Sequence, residues 1–252
     1  YLSAMEESGS ASAQSGWKLQ LLTLRHALPP QAGQLVGAAV LYIKPHSYGE
    51  YVFDWAWADA YQRHGLNYYP KAVSAVPFTP VPGSRLLADS ATSQSALLSA
   101  MVELAQNENW SSLHVLFLSN HELQVTETAG WLSRHTVQFH WHNAAYADFE
   151  HFLKALNQEK RKKIKQERRK VAEAGVVFKA FEGTQIQSAD WDFFYQCYAQ
   201  TYFEHGNAPY LNRDFFQRMQ DTMPDNWVLF IAEKDGRRMA CSLIGLGNKV
   251  AY

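Results

Sequence analysis

The chain has 252 residues, 47% of them hydrophobic, and its 23 basic residues nearly balance its 24 acidic residues. This length predicts two domains, and the two cysteines, Cys197 and Cys241, predict neither a disulfide framework nor a thiolate metal cluster. With no apolar stretch of about 18 residues and no signal-like N-terminus, the sequence favours a cytoplasmic protein.

The first part of the chain predicts a domain over residues 1–145 built from strands and short helices. Two strands, 19–26 and 34–43, form a hairpin around a loop that contains proline and glycine. The elements that follow are a helix after Asp54 that ends at Gly65, strands at 69–76 and 85–88, a helix opened by Ser93, a strand at 114–118, a helix from Asn120 to Gly130, and a strand at 132–141.

Residues 49–55 predict a further strand, because polar and aromatic side chains alternate along them. Glu50 and Asp54 would then share one face about 13 Å apart, which is too far for the acid and nucleophile of a glycosidase. The opposite face would hold three rings, those of Tyr51, Phe53 and Trp55. The segment therefore predicts a core face beside a face that offers carboxylates.

His140 and His142 share a face at the end of the strand predicted at 132–141, which is the spacing of two metal ligands. No third ligand stands at a matching distance in the sequence. Exposed or hydrogen-bonded imidazoles are the simpler interpretation, and no metal site is predicted.

Residues 146–174 predict one long helix that Gly175 ends. The elements predicted after it are a strand at 176–182, helices at 189–205 and 212–223, strands at 227–233 and 239–246, and the beginning of another strand at 249–252. This order repeats that of residues 19–54. The predicted organisation is therefore a first domain (1–145), a basic linking helix (146–175) and the start of a second copy of the same fold (176–252), incomplete at Tyr252.

The segment 160–170, KRKKIKQERRK, holds eight of the 23 basic residues and one of the 24 acidic residues. Such a density of like charge favours a polyanionic partner, and a solvated cationic face is the alternative. The candidate contacts to a polyanion are Lys160, Arg161, Lys162, Lys163, Lys165, Arg168 and Arg169.

Aromatic residues are concentrated between Tyr42 and Tyr69, where nine of 28 residues carry rings. Three strings of this region, SYGEYVFDWAWADAY (47–61), YYPK (68–71) and VPFTPVPGSRLL (76–87), resemble a bacterial family of N-acyltransferases labelled peptidoglycan biosynthesis or recognition proteins. The resemblance spans the chain and makes YLSAMEESGS an opening helix. It implies an α+β fold of paired GNAT-like domains, each a mixed, largely antiparallel sheet flanked by helices, as in the Fem-type aminoacyltransferases that use aminoacyl-tRNA.

Acyl transfer to an amine requires two oriented substrates, a base for the ammonium proton and stabilisation of an oxyanion. The candidate bases are His46, Glu50 and Asp54, and the candidate anion contacts are Lys44, Lys71 and Arg85. Four rings are candidates for the acceptor pocket: Tyr48, Trp55, Trp57 and Tyr69. For the charged residues, structural or surface ion pairs are the alternative.

The turn expected to bind the pyrophosphate of an acyl-CoA, residues 89–93 (DSATS), has no glycine. No tightly bound cofactor is therefore expected, and aminoacyl-tRNA and acyl-CoA both stay open as donors. The sequence favours an acyl- or aminoacyltransferase that acts on an amine of a cell-wall precursor or a similar acceptor. The alternative is a non-catalytic GNAT-like module that binds RNA or an anionic polymer.

Overall fold

A computed structural model describes residues 1–52 and 54–252, which form two compact units. The first unit comprises residues 1–134 and 210–215, and the second comprises 135–209 and 216–252. None of the helices in the described residues combines the length and apolarity needed to cross a membrane. The predicted division into a first domain, a linking helix and the beginning of a second copy stays a prediction.

The first unit contains a five-stranded sheet and four helices among its described residues. These elements are α1 (Leu2–Glu7), β1 (Lys18–Arg25), β2 (Leu35–Lys44), α2 (Trp55–Arg63), β3 (Lys71–Ser74), β4 (Leu87–Ala88), α3 (Ala91–Asn107), β5 (Leu113–Val115) and α4 (Asn120–Thr128). The predicted fold class, an α+β arrangement with a mixed, largely antiparallel sheet flanked by helices, is confirmed, and it is consistent with a GNAT-like fold.

The sheet order is β1-β2-β3-β5, with β4 paired to the first half of β2. All pairs are antiparallel except β3 with β5. Two registers matter for the site: Lys44 at the end of β2 lies opposite Lys71 on β3, and Val73 on β3 lies opposite His114 on β5. The sheet therefore brings residues from three separate parts of the sequence to one end of β3.

The core of the first unit forms where α3 packs on the sheet. Apolar residues recur on α3 at helical spacing and face β2, which presents one side chain in two to the core. The fully buried members of this cluster are Ala39, Leu41, Leu86, Leu97, Leu98 and Met101. Their burial fixes the position of β2, and Val73 of β3 is buried in a second cluster with Ala75 and Leu116.

The second unit contains an antiparallel three-stranded sheet with the order β6-β7-β8. Its elements are α5 (Phe149–Ala155), α6 (Gln158–Glu173), β6 (Val177–Glu182), α7 (Ser188–Glu204), α8 (Arg213–Thr222, whose first three residues belong to the first unit), β7 (Trp227–Lys234) and β8 (Arg237–Gly245). Its buried side chains include Trp191, Phe194, Phe216, Leu229 and Ile231.

The strand predicted at 49–55 is wrong, because residues 49–52 adopt no strand and α2 begins at Trp55. Gly49 and Tyr51 have φ values of 79° and 57°, in the left-handed region that interrupts an extended strand. Phe53, which the sequence put on the same face as Tyr51 and Trp55, lies outside the described residues.

Two further predicted elements differ from the structure. Residues 132–141 form no strand, and Leu132 and Phe139 are 93% and 97% exposed. Alternating apolar side chains are typical of a strand, but a strand forms only where another strand is available to pair with it. The helix predicted at 146–174 is two helices, because Leu156 is extended and the Asn157 side chain accepts the Lys160 amide and so begins α6.

Candidate functional site

Two carboxylates and a lysine form a buried ion cluster in the first unit. Lys71 Nζ donates to Glu50 Oε2 at 2.7 Å and also to Asp54 Oδ2. All three residues are buried: Lys71 is 0% exposed, Glu50 3% and Asp54 1%. Glu50 Oε1 has no hydrogen-bond partner among the described residues. A buried acceptor without a donor is costly, so this oxygen is ready to receive one from a bound group.

The prediction that Glu50 and Asp54 lie about 13 Å apart is wrong, since both bond to one nitrogen. The two left-handed residues, Gly49 and Tyr51, turn the chain so that both carboxylates point inward. A glycosidase is still not supported, but for another reason: Lys71 occupies the space between the carboxylates, where such an enzyme places its substrate.

The two carboxylates differ in their affinity for a proton. Burial raises the pKa of Glu50, and the positive charge of Lys71 does not cancel that rise. Burial alone would also raise the pKa of Asp54, but hydrogen bonds from Lys71 and Tyr68 outweigh it, and this pKa is lowered. Opposite shifts make one of two adjacent carboxyl groups an anion at rest and let the other take up a proton more readily. Asp54 has the lowered pKa here, and Glu50 has the raised one.

Lys44 is a second buried lysine beside this cluster. Its Nζ donates to the Tyr48 carbonyl at 3.2 Å and lies 3.5 Å from the ring centroid of Trp17. Burial lowers the pKa of Lys44 to about 7, with Glu50 opposing that shift and Lys71 adding to it. The amine is therefore close to half neutral at physiological pH, which makes it a weaker anion contact than a solvated lysine.

Sequence reasoning missed three residues that extend the cluster. Tyr68 donates its hydroxyl proton to Asp54 Oδ2 at 2.7 Å, and His114 Nε2 lies 3.3 Å from the same hydroxyl oxygen. Ser112 Oγ lies 2.9 Å from His114 Nε2. Tyr68 belongs to the YYPK string, which was a usable signal, whereas His114 and Ser112 reach the site only through the parallel pairing of β3 and β5.

The other candidate base, His46, lies among rings at the surface. Its centroid is 5.3 Å from that of Tyr48, which is 5.4 Å from that of Trp55. Burial and the charge of Lys44 lower the pKa of His46. Tyr48 and Trp55 are 53% and 46% exposed, so the structure places a ring surface above the buried charges.

The remaining ring candidates lie in different surroundings. The Tyr69 hydroxyl is 2.8 Å from Ser47 Oγ, and its ring contacts that of Tyr68. Trp57 is exposed on α2, with the Arg134 guanidinium 5.8 Å from its ring. Tyr69 thus lies against the carboxylate cluster, whereas Trp57 faces solvent.

Arg85 lies in a network of backbone contacts. Its guanidinium donates to the carbonyl oxygens of Val81, Ser84 and Leu116. Glu122 Oε1 accepts the amides of Arg85 and Leu86 at 2.8 and 2.7 Å. These contacts fix the loop before β4, and three guanidinium donors are already used in them.

All the predicted polyanion contacts lie on α6, in the second unit. Three of the helix's cations have acidic neighbours: Lys163 with Glu167 at 3.9 Å, Lys165 with Glu150 at 2.6 Å, and Arg169 with Glu173 at 3.6 Å. Arg168 lies 4.4 Å from the Phe149 ring. Within the described residues, the cations with neither kind of neighbour are Lys160, Arg161, Lys162 and Lys170.

The rings of His140 and His142 lie 6.5 Å apart, and the described residues contain no group of three or more side chains able to hold a metal ion.

The whole chain, residues 1–252, matches the family model FemAB-like, described as peptidoglycan biosynthesis/recognition. No curated protein matches it.

Proposed function

Because the chain belongs to the FemAB-like family of peptidoglycan biosynthesis and recognition, we propose that it transfers an aminoacyl group to an amine of a cell-wall precursor. The observation that supports this chemistry best is the buried cluster of Lys71 with Glu50 and Asp54. The cluster combines a proton acceptor, a fixed anion and an unpaired carboxylate oxygen in one place.

Glu50 is the base in this proposal. An acceptor amine arrives as an ammonium ion and attacks only after it loses a proton. Because burial raises the pKa of Glu50, this carboxylate holds a proton better than an exposed one at neutral pH. The freed amine then attacks the donor carbonyl carbon, the amide bond forms, and the donor's ester oxygen leaves with a proton. Asp54 is ionised at rest and keeps Lys71 in position.

The N-terminus of α3 favours an aminoacyl ester over an acyl-CoA as donor. Ser90 Oγ accepts the Ser93 amide at 3.1 Å, and Ser93 Oγ donates to Asp89 Oδ1 at 2.7 Å. A helix N-terminus that binds pyrophosphate needs free amides and no nearby anion. Here one amide is used by the cap, and the Asp89 carboxylate would repel a phosphate.

The basic helix α6 supports tRNA as the carrier of the aminoacyl group. Its four cations without acidic or aromatic neighbours among the described residues, Lys160, Arg161, Lys162 and Lys170, offer charge to a phosphate backbone. The same cations would serve a binding module that performs no transfer, so the assay must separate binding from chemistry.

The test is transfer from aminoacyl-tRNA and from acyl-CoA to amine-bearing cell-wall precursors, with tRNA binding measured in parallel. We expect transfer from aminoacyl-tRNA, and we expect Glu50→Gln to lower its rate by about 10²-fold or more, the usual contribution of a general base. Glu103→Gln, at an exposed position on α3, is the matched control and should keep the rate.

Two results would overturn the proposal. A Glu50→Gln variant as active as the parent would remove Glu50 as the base. A folded protein that binds tRNA but transfers nothing from either donor would be the binding module instead.

A further inference from the structure

A chain of polar contacts leads from the buried carboxylates towards the surface of the first unit. It runs from Asp54 to the Tyr68 hydroxyl at 2.7 Å, on to His114 Nε2 at 3.3 Å, and then to Ser112 Oγ at 2.9 Å. Asp54 is 1% exposed, whereas His114 and Ser112 are only partly buried. The contacts therefore join fully buried carboxylates to side chains that are partly exposed.

The proposed function creates a need for such a connection. Each turnover leaves the ammonium proton of the acceptor on Glu50, which is 3% exposed. That proton must leave before the next acceptor can be deprotonated. Lys71 already bonds both carboxylates, so it can take a proton from Glu50 as it gives one to Asp54.

We propose that Tyr68 and His114 carry this proton from the carboxylate pair to the protein surface, an inference that rests on the proposed transferase function. Asp54 gives the proton to the Tyr68 oxygen while the Tyr68 hydroxyl proton moves to Nε2 of His114. His114 then releases its Nδ1 proton to water and returns to a neutral ring. Each step moves a net of one proton towards the surface. The ring is left with its proton on Nε2, so proton exchange with water must return it to the Nδ1 form while the Tyr68 hydroxyl turns back to Asp54.

The proposed transfer requires one tautomer of His114. Tyr68 has one hydroxyl proton, and at rest it is donated to Asp54. The transfer requires the ring proton on Nδ1, so that Ser112 donates to Nε2 across the 2.9 Å contact at rest. Nε2 is then the acceptor when the Tyr68 hydroxyl turns towards it.

Burial is the main reason that the pKa of His114 is lowered, and nearby charge is the second. Burial and then the positive charge of Lys71 on β3 lower the pKa of His114 to about 4, with Asp54 opposing and Arg134 adding to the shift. A proton that reaches this ring at neutral pH does not stay there. His114 can therefore pass a proton on at neutral pH but does not hold it.

The activity test uses chemical rescue. We expect His114→Ala to lower the transfer rate by about 10-fold to 100-fold, and added imidazole to restore most of it, since a free base can replace a proton carrier. Tyr68→Phe should lower the rate similarly, and imidazole should not restore it because the step before His114 is lost. His121→Ala, at an exposed position on α4, is the control and should keep the rate.

Several outcomes would overturn the proposal: a full rate in His114→Ala, no rescue of that variant although it melts like the parent, or equal rescue of Tyr68→Phe. A purely structural role for His114 predicts a loss that imidazole does not repair.

A second measurement does not depend on activity. Nitrogen NMR of the imidazole rings should show His114 neutral from pH 5 to pH 8, with its proton on Nδ1. A proton on Nε2, or a midpoint near 6.5, overturns the proton path even if the protein is an active transferase. If no donor supports transfer, the transferase proposal fails and the path that rests on it fails too, whatever state the ring has.

Discussion

The charged residues of the site show how burial changes familiar side chains. Lys44 and Lys71 lie opposite each other at the ends of β2 and β3, and neither is exposed. Lys71 has two carboxylates to compensate its charge. Lys44 has one carbonyl and the face of Trp17, so its charge is compensated less well. Two lysines at equivalent places in the sheet therefore differ in how well the protein compensates their positive charge.

The lowered pKa of Lys44 makes stability depend on pH. An unfolded chain binds this proton up to the ordinary lysine pKa of 10.5, whereas the folded chain releases it near 7. The unfolded state thus holds more protons between these values, and the Lys44 contribution to the free energy of unfolding rises as pH rises from about 7 towards 10.

Replacing Lys44 with methionine tests this sign. Relative to Lys44→Met, the parent should gain stability with pH at up to about 1.4 kcal/mol per unit between pH 7 and pH 9.5. Urea unfolding at several pH values measures the difference. Lys18→Met, at an exposed position on β1, should run parallel to the parent, and parallel curves for Lys44→Met would refute the prediction.

The residues of the site could be predicted only in part. Lys44, Glu50, Asp54 and Lys71 stand in one ring-rich segment, and that concentration pointed to them. Their convergence could not be predicted, because it depends on left-handed backbone at residue 51, where the sequence has tyrosine and not glycine. His114 could not be predicted either, because its position follows from a parallel strand pair.

Among the elements, the loop between β2 and α2 decides the geometry of the site. Gly49 in this loop has a φ of 79°, and a Cβ built there would lie 2.5 Å from the Phe78 ring. Phe78 is held in turn by edge contact with Trp17 and by stacking on Tyr210. The loop that carries Glu50 therefore depends on a residue without a side chain at position 49.

Gly49→Ala should destabilise the protein by two separate costs, the left-handed backbone and the clash with Phe78. The first is about 1 kcal/mol, and the second adds to it because a clamped ring cannot move away easily. Gly33→Ala is the matched control, since Gly33 has a φ of 82° but no atom within 4 Å of the added Cβ.

Urea unfolding of the two variants separates these costs. Gly49→Ala should lose clearly more stability than Gly33→Ala, and its transfer rate should fall as Glu50 shifts. Equal losses would mean that the ring of Phe78 yields and that the loop is less constrained than its contacts indicate.

The elements themselves were predicted well where local signals decide them. The hairpin of β1 and β2 and the helices α3 and α7 follow from local sequence patterns, although α3 begins at Ala91 behind a Ser90 cap and not at Ser93, where the helix was predicted to open. The long helix failed at Leu156 because a continuous apolar stripe hides the capping preference of Asn157. The strand predicted at 132–141 was wrong because a strand needs a second strand to pair with. Alternation within one segment does not show whether such a partner exists.

At the scale of the whole molecule, charge is distributed unevenly although the net charge is −1. Helix α6 concentrates cations, and four of them have no acidic or aromatic neighbour in the described part of the chain. A helix meets a nucleic-acid backbone on one side only, so we expect about four phosphate contacts and a slope of log affinity against log salt of about −3 to −4.

The pairing of charges on α6 determines which substitutions should matter most. Lys163 and Arg169 already have glutamate partners four residues away, whereas Lys160, Lys162 and Lys170 have none among the described residues. Exchanging the last three for alanine should reduce the size of the slope by up to about three units, since each contact to a duplex contributes about 0.9. Exchanging Lys163, Arg169 and Lys165 should reduce it less, because their glutamate partners already compensate part of their charge.

Binding of tRNA that carries no amino acid, measured at several salt concentrations, gives the slope for each triple variant and for the parent. The melting temperature confirms that each variant folds. Both triple variants remove three cations from one helix, so a loss of net charge alone predicts equal changes in slope. A larger change in the variant without glutamate partners would place the phosphates on Lys160, Lys162 and Lys170. Unchanged slopes in both variants, or a parent whose affinity does not depend on salt, would show that α6 is a solvated cationic face, and the carrier of the aminoacyl group would then have to be held elsewhere.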